Sequence, residues 1–497
     1  MPIAVFPPWT PDYADLGAGS RVVQNVFRRK NGTYGAMRAL SEIGNALDGV
    51  CKGAGSFYSS DGTIVTFAGT ATKLYLWNAT TQTWGDVTRA VGGDYTLADE
   101  HRWVFTQVAD RVFADNGVDA GQYWDIGTST NFAAAPGSPP IARYAANSDN
   151  GFLHRAHTTT DNREAEWSSQ FDPNEHTPGT NQGDVQTFQE GGRITGLVGG
   201  EVMVWFQEQK IRRGFYVGPD LIFQINELAS QLGCTVPGSI ASRERTIVFR
   251  ANDGFYRLDG AQSITPIGDG VDDEFWTNLA SDSLHSVWSI MDPLRPYFMI
   301  AWPTSTGIAD TLWVCNLALG SDGWAPSSYN IECLFPMYAT SSVDLDTDSG
   351  EAGDADLDTP GLPSLDSDSY RGSPVQVVAA FTSNHKLAFF TGDSLEATLD
   401  TVETAIGGVS RQVEIDRVIP LITGGSASVS PKAKLGYRQR QQDAVTYSSE
   451  VTADDQGDCW LAEPPSRFQR ARVIVPSGSN FTHAIGVEYE PRQAGDL

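Results

Sequence analysis

The sequence is poor in paired cysteines and in basic residues. Its five cysteines are odd in number, scattered and without CxxC spacing, which argues against both a disulfide framework and a zinc site. Lys and Arg number 34 against 61 Asp and Glu, and the net charge is −27. The chain as a whole therefore repels polyanions, and binding driven by phosphate neutralisation is disfavoured.

Long apolar runs and signature motifs are also absent. No apolar run approaches the length of a transmembrane helix, and the N-terminal MPIAVFPPWTPDYADLG lacks the basic start and apolar centre of a secretory signal. The motifs GxSxG, HExxH, GxGxxG and the Walker loop do not occur. The sequence therefore predicts a chain without a membrane span, without catalytic residues or a cofactor, and without enzymatic activity.

Turn formers and aromatic residues are abundant. The chain has 50 Gly, 26 Pro, 13 Trp, 16 Tyr and 23 Phe, and hairpin-like units recur in which alternating apolar stretches flank Gly, Asn or Asp turns. The units begin near residues 63, 101, 151, 201, 246, 297 and 375. This spacing is typical of four-stranded propeller blades. We predict an all-β protein with a β-propeller of about seven units; an array of sandwiches or two separate sheets is the alternative.

The remaining segments suggest three further regions. Residues 1–50 precede the first unit and read as an extended N-terminal arm, and the propeller is assigned to residues 51–395. Residues 396–497 contain long β stretches at 412–419 and 470–475 and are predicted to form a small C-terminal β domain. An insertion at 341–370 carries eight Asp and one Glu without Lys or Arg, a composition typical of a mobile loop.

Candidate ligands for a cation or for acid–base chemistry are few. Asp344, Asp346 and Asp348 begin like a calcium loop, but the later positions do not fit, and a solvated acidic loop is the favoured interpretation. His154 and His157 lack a third ligand, so polar packing is favoured over a metal site. Asp272 and Glu274 are the carboxylates at which a propeller glycosidase would be sought, although an acidic turn is the favoured interpretation.

Two basic groups stand out against the acidic background. Complementary charge can orient contacts with acidic surfaces of a neighbouring subunit. These residues are therefore the interface candidates: Lys210, Arg212, Arg213, Arg467, Arg470 and Arg472.

Several stretches together resemble the tail hub or nozzle proteins of short-tailed, podovirus-type bacteriophages. They are PGSI at 237–240, TIVF at 246–249, DGFYRLDG at 253–260, ITPIG at 264–268, EWS at 166–168 with FDP at 171–173, RARVIVP at 470–476 with HAIGV at 483–487, and VVQNV at 22–26 with Tyr34. The likeness touches most of the chain. Its motifs are loose and structural, and the acidic insertion departs from it.

The resemblance implies a structural protein of the virion tail that is assembled in the host cytoplasm. It implies a homo-oligomer, a hexamer, that forms a ring-shaped channel for DNA ejection. The implied partners are portal or adaptor proteins, tail fibre, spike or plug proteins, and double-stranded DNA in transient passage. The alternative functions are a propeller carbohydrate-active enzyme and a glycan-binding adhesin.

Overall fold

The computed structural model describes residues 3–14, 19–339, 375–406, 408, 411–425, 429–461 and 463–496. The acidic insertion at 341–370, with Asp344, Asp346 and Asp348, lies outside these residues. The described chain begins with five short strands: β1 (Ile3–Val5), β2 (Val23–Gln24), β3 (Val26–Arg28), β4 (Tyr34–Ala36) and β5 (Ser41–Ile43).

Five antiparallel sheets follow, each of four strands paired in chain order. Short turns join most of the strands, although residues 168–183 separate β16 from β17. Apolar residues dominate the central strands because both of their faces are covered by neighbouring sheets. The strands are β6 (Ala54–Tyr58), β7 (Ile64–Gly69), β8 (Leu74–Asn78) and β9 (Thr83–Asp86) in blade 1; β10 (Val104–Val108), β11 (Arg111–Asp115), β12 (Gln122–Asp125) and β13 (Ala133–Ala134) in blade 2; β14 (Ala142–Asn147), β15 (Leu153–Thr158), β16 (Glu164–Trp167) and β17 (Asp184–Thr187) in blade 3; β18 (Ile194–Val198), β19 (Met203–Gln207), β20 (Lys210–Gly218) and β21 (Ile222–Ser230) in blade 4; and β22 (Ala241–Arg243), β23 (Thr246–Arg250), β24 (Phe255–Asp259) and β25 (Ser263–Pro266) in blade 5.

Helix α1 (Asp272–Asn278) leads from blade 5 into a sheet of seven strands that makes up two blades. Its strands are β26 (Trp288–Met291), β27 (Tyr297–Trp302), β28 (Ala309–Asn316), β29 (Trp324–Ala339), β30 (Val375–Thr382) and β31 (Leu387–Phe389), followed by β5. Short 3₁₀ turns cover Pro237–Ser239, Ser281–Ser286 and Gly320–Gly323.

Strand β29 belongs to both of these blades. Its first half pairs with β28 as the outermost strand of blade 6, and its second half pairs with β30 as the innermost strand of blade 7. Strand β5 pairs with β31 and supplies the fourth strand of blade 7. The innermost strand β29 then contacts β6 of blade 1. The described strands thus close a circle of seven blades, and the predicted all-β propeller is confirmed.

The C-terminal strands form a β-sandwich. They are β32 (Ala397–Asp400), β33 (Arg411–Thr423), β34 (Lys432–Arg438), β35 (Thr446–Tyr447), β36 (Val451–Thr452), β37 (Cys459–Trp460), β38 (Phe468–Val475) and β39 (His483–Asp496). One sheet has the order β3-β4-β39-β33-β37 with β1 beside β39, and the other has the order β2-β32-β38-β34-β35 with β36 beside β34. The Tyr489 hydroxyl bridges the sheets, since it lies 2.8 Å from the Thr401 hydroxyl and accepts the Ala471 N–H.

Residues 1–50 are not an extended arm, which corrects that interpretation. Strands β1, β3 and β4 complete one sheet of the sandwich, β2 completes the other, and β5 closes blade 7. A two- or three-residue strand is unstable alone because its backbone groups and its apolar face lack partners. Here Val26 and Tyr34 are fully buried. The C-terminal domain therefore contains N-terminal residues as well.

The sandwich and the propeller share one hydrophobic core. Aromatic rings from the N-terminal segment and from blades 5 and 6 form its propeller side, with Trp9 against Trp313 at 4.8 Å and Phe255 against Trp324 at 4.9 Å between ring centroids. The indole N–H of Trp324 donates to the Ile267 carbonyl at 2.6 Å. Because apolar burial is continuous across the junction, the two parts form one body.

The described part of the chain contains no helix long and apolar enough to cross a membrane. All five cysteines are buried free thiols.

Candidate functional site: the central cavity of the propeller

The propeller encloses a cavity of about 470 Å³ on its axis. The cavity lies where the innermost strands of the blades begin, so neighbouring blades each contribute wall residues. Its apolar wall is formed by Trp103, Tyr144, Ile194, Ile240, Trp288 and Leu334. Blades converge on this axis although their sequences are far apart, which makes it the natural ligand position in a ring of sheets.

Three arginines bring positive charge into this cavity. Arg102 precedes β10, Arg143 lies in β14 and Arg193 precedes β18. The wall also contains two carboxylates, those of Glu100 and Asp282. In a chain of net charge −27, a wall in which three arginines stand against two carboxylates is less acidic than the chain as a whole.

Arg102 is held rigidly. Its terminal amino group donates to the main-chain carbonyl of Val287 at 2.6 Å and to that of His285, and its guanidinium lies 3.9 Å from the centre of the Trp288 ring. Burial lowers the pKa of Arg102 to about 10, so the group keeps its charge at neutral pH. Its hydrogen-bond partners are neutral, and among the described residues no carboxylate lies within ion-pairing distance of it.

The other two arginines differ in their partners. Arg143 donates to the Glu100 main-chain carbonyl, and no carboxylate of the described chain pairs with it. Arg193 forms a 2.8 Å ion pair with Glu208, and both side chains are about half exposed. Arg143 therefore presents an unneutralised charge to the cavity, whereas the charge of Arg193 is shared with a surface carboxylate.

Two titratable wall residues report how close the arginines lie to each other. Burial raises the pKa of Tyr144, and the positive charges of the three guanidinium groups oppose that rise. Burial also lowers the pKa of His157, and Arg143 and Arg193 lower it further. Both residues thus lie near guanidinium groups from different blades, in agreement with the position of all three arginines in the cavity wall.

Unsatisfied hydroxyl groups also face the cavity. Thr195 is 2% exposed, and its Oγ1 has no hydrogen-bond partner within the described chain. The same holds for the buried hydroxyl oxygens of Thr235 and Ser289. All three residues line the cavity. Buried polar atoms are rarely left without a partner, so these groups point to an occupant with hydrogen-bonding capacity.

The basic residues of β20 form ion pairs and hydrogen bonds with other residues of the same chain. Lys210 forms 2.8 Å ion pairs with Glu190 and Glu227. Arg212 donates to the Gln207 side chain at 2.9 Å, and Arg213 donates to a main-chain carbonyl, that of Ala261, at 2.7 Å.

The second predicted basic group lies in the sandwich. Arg472 forms two hydrogen bonds of 2.7 and 2.9 Å to Asp400, Arg470 lies 3.8 Å from the same carboxylate, and the partly buried Arg467 precedes β38. The two groups therefore belong to different domains, and none of the six residues lines the central cavity. Their role as subunit contacts stays a prediction.

His154 and His157 do not converge. They lie three residues apart on β15, so their side chains point to opposite faces. His154 is fully buried among Trp167, Trp205 and Phe223, and burial lowers its pKa to about 3. Within the described residues, no group of three or more His, Cys, Asp or Glu side chains is arranged to hold a metal ion.

Asp272 and Glu274 lie at the start of α1, away from the central cavity. The Asp272 carboxylate accepts the Phe255 N–H at 2.9 Å, and burial raises its pKa to about 6 against the opposing charge of Arg250. A Cβ atom at Gly268 would lie 2.1 Å from this carboxylate. The backbone thus closes tightly around Asp272, which fits a structural anchor.

The cavity arginines escape sequence analysis because each is a single residue in its own repeat. Arg102, Arg143 and Arg193 all fall within two residues of the start of an innermost strand, but Arg102 and Arg193 precede their strands and Arg143 lies within its own. Aligning the blades on these strands therefore does not superpose the three.

Comparison with known proteins does not carry the assignment of the fold or of a function. No known protein family and no curated protein matches the sequence. Among solved structures, the chain is similar to the mitotic checkpoint complex (9% identity, TM-score 0.36, 61% of this chain and 88% of that chain). It is also similar to the WD40 domain of Neurospora crassa Pan2 (9% identity, TM-score 0.38, 60% of this chain and 89% of that chain). A third similar structure is YCF48 bound to D1 peptide (12% identity, TM-score 0.34, 59% of this chain and 86% of that chain). At such TM-scores the strand pairing itself carries the assignment: the chain is a seven-bladed β-propeller protein with a β-sandwich.

Proposed function

We propose that the chain is a structural subunit of the short tail of a podovirus-type bacteriophage, a tail hub or nozzle, and that it has no enzymatic activity. The observation that carries the proposal is where the resembling stretches lie. Val26 and Tyr34 near the N-terminus, Val248 and Phe255 in blade 5, and Val473 near the C-terminus belong to one buried cluster. Most of these stretches thus follow the junction of propeller and sandwich, whereas residues 166–168 and 171–173 lie in β16 and the loop after it in blade 3, where Phe171 is 75% exposed.

This junction suits a load-bearing subunit. Both chain ends are paired into sheets, and an N-terminal strand closes the last blade. A continuous apolar core opposes rotation of one domain against the other, because such motion would expose the core to water. A tail subunit that transmits contacts from one neighbour to the next needs this rigidity.

In the proposed assembly, six copies form a ring in the virion tail after assembly in the host cytoplasm. One face docks to portal or adaptor proteins, and the other carries fibre, spike or plug proteins. DNA passes along the axis of the ring and not through a single propeller, because a 470 Å³ cavity is too small for a duplex whose major groove alone is about 12 Å wide. The net charge of −27 keeps the DNA backbone from adhering.

The proposal is tested by locating the chain within phage particles. A tagged copy of the chain, incorporated into phage from its natural source, is labelled with gold and viewed by electron microscopy. We expect label at the tail of intact particles and no cleavage of host glycans by the purified protein. A protein found free of virions that cleaves or binds a glycan would contradict the proposal and favour the enzyme or adhesin instead.

A further inference from the structure

We propose that the central cavity binds an acidic peptide segment of a partner protein, whose carboxylates are held by Arg143 and Arg193 and whose apolar side chains lie against the aromatic wall. This inference goes beyond the tail function, and it holds for a propeller in any assembly. It rests on three independent properties of the cavity: charge, free hydrogen-bonding groups and wall chemistry.

The charge argument starts from Arg102 and Arg143. Each guanidinium donates to main-chain carbonyls, which satisfy some N–H groups but leave the positive charge uncompensated. Of the two, Arg102 is the more buried, and charge held away from bulk water is costly unless an opposite charge accompanies it. A carboxylate in the cavity offsets this cost, and it lies beside guanidinium groups that retain unused N–H donors, since each arginine has five.

The hydroxyl groups give the second argument. Thr195, Thr235 and Ser289 have side-chain oxygens that are buried, that lack a partner within the described chain and that line the same space. A hydroxyl both donates and accepts. A peptide backbone offers alternating carbonyl acceptors and N–H donors, which are the two kinds of partner that these hydroxyl groups take.

Wall chemistry selects a peptide over other anions. Trp103, Trp288, Ile240 and Leu284 give the cavity an apolar surface beside the arginines. An inorganic anion leaves this surface exposed to water, whereas a carboxylate-bearing peptide with apolar side chains covers it. Single-stranded nucleic acid needs a basic groove that follows its backbone, and the negative charge of the surrounding chain opposes it.

The test uses fluorescence anisotropy with the full chain and a labelled eight-residue peptide of alternating glutamate and leucine. The same peptide with glutamine in place of glutamate is the ligand control. We expect the glutamate peptide to bind at least tenfold more tightly, and Arg143→Gln and Arg193→Gln each to weaken binding about tenfold, because each removes a charged hydrogen-bond donor. Arg245→Gln, at an exposed arginine paired with Glu201 on another surface, is the matched control and leaves affinity unchanged.

A gain of affinity sharpens the test. Glu208→Gln removes the ion-pair partner of Arg193, and we expect it to tighten peptide binding several-fold. Melting temperatures of the variants verify that each is folded; Arg102 is left intact because its bonds hold the loop at His285 and Val287. Equal affinity for both peptides, or unchanged affinity in folded Arg143→Gln and Arg193→Gln, would overturn the proposal. Displacement of the peptide by equimolar pyrophosphate or by a hexathymidylate would also overturn it and assign the cavity to phosphate ligands.

Discussion

The propeller and the sandwich are built from the chain in opposite ways. Blades 1–5 each pair strands that follow one another in sequence, so their contacts are local. The sandwich joins the two chain ends: Tyr34 lies opposite Ala484, and the Thr33 hydroxyl lies 2.9 Å from His483. Contacts between distant residues close large loops and form at greater entropic cost. A repeated domain can therefore be recognised from local sequence, whereas the sandwich depends on strands from both ends of one chain.

The largest expected effect tests the place of the N-terminal residues. Tyr34→Ala removes a fully buried ring whose hydroxyl donates to the Pro7 carbonyl at 2.7 Å. We expect a loss of about 3–5 kcal/mol in the free energy of unfolding, measured by urea denaturation. Tyr13→Ala, at a tyrosine of the same segment that is 49% exposed, is the control and changes stability by less than about 0.5 kcal/mol. If both variants lose a similar, small amount of stability, residues 1–50 are an extended arm and not part of the folded sheets.

A second prediction compares buried charge in the two regions. In the propeller, Arg155 and Asp115 form a 3.0 Å ion pair with side chains 0% and 1% exposed. Arg155→Met leaves the Asp115 carboxylate buried without its ion-pair partner. We expect the free energy of unfolding to fall by about 3–5 kcal/mol.

In the sandwich, the Asp400 carboxylate has two further partners besides Arg472: the Tyr447 hydroxyl at 2.9 Å and the Arg470 guanidinium at 3.8 Å. Because both remain when Arg472 is replaced, we expect Arg472→Met to lower the free energy of unfolding by less than Arg155→Met. Urea denaturation of both variants, with Asp115→Leu added to Arg155→Met, gives the comparison. A cost for Arg472→Met equal to that for Arg155→Met, or no recovery in the double variant, would contradict this account.

Asp272, near the junction of propeller and sandwich, is expected to make the stability of the folded protein depend on pH. Its pKa in the folded protein is raised to about 6 from an ordinary 3.8, so the folded state holds the proton more tightly than the unfolded state. The stabilisation is complete below the unfolded pKa and is lost as the pH rises through about 6. Relative to Asp272→Asn, the native protein should lose about 2 kcal/mol between about pH 4 and pH 7, after allowance for solvent screening.

The measurement is urea denaturation at several pH values, and Asp273→Asn, at an exposed position of the same helix, is the control. Parallel pH profiles for the native protein and Asp272→Asn would show that this carboxyl is not buried as described.

The smallest effect concerns closure of the ring by β5. The Glu42 carboxylate accepts hydrogen bonds from the Thr382 hydroxyl at 2.7 Å and from the Asn384 amide at 2.8 Å, across blade 7. We expect Glu42→Ala to cost about 1 kcal/mol and to speed amide hydrogen exchange in β5 and β31. Glu201→Ala, which breaks an exposed ion pair with Arg245, should leave exchange in these strands unchanged. Unaltered exchange in Glu42→Ala would mean that backbone pairing alone closes the ring.

Sequence predicted the repeated part of the fold because its signal is local. The apolar runs around Phe67 and Phe249 lie in β7 and β23, second strands whose side chains are covered by the neighbouring blades. Such runs read as strands without knowledge of their partners. By contrast, β5 and β22 have three residues each, too short for a periodic pattern, and the partner of β5 is the distant strand β31 at Leu387–Phe389. Arg102, Arg143 and Arg193 come to one cavity only when blades 2, 3 and 4 pack side by side, so no local pattern indicated the cavity.

The proposed ring is tested most directly by the mass and symmetry of the purified chain. Native mass spectrometry, with rotational analysis of negatively stained particles, measures both. We predict a species containing six 53.7 kDa chains and a six-fold ring with a central opening wider than a DNA duplex. A chain that stays monomeric at every concentration tested, and in the presence of its tail partners, would contradict the account.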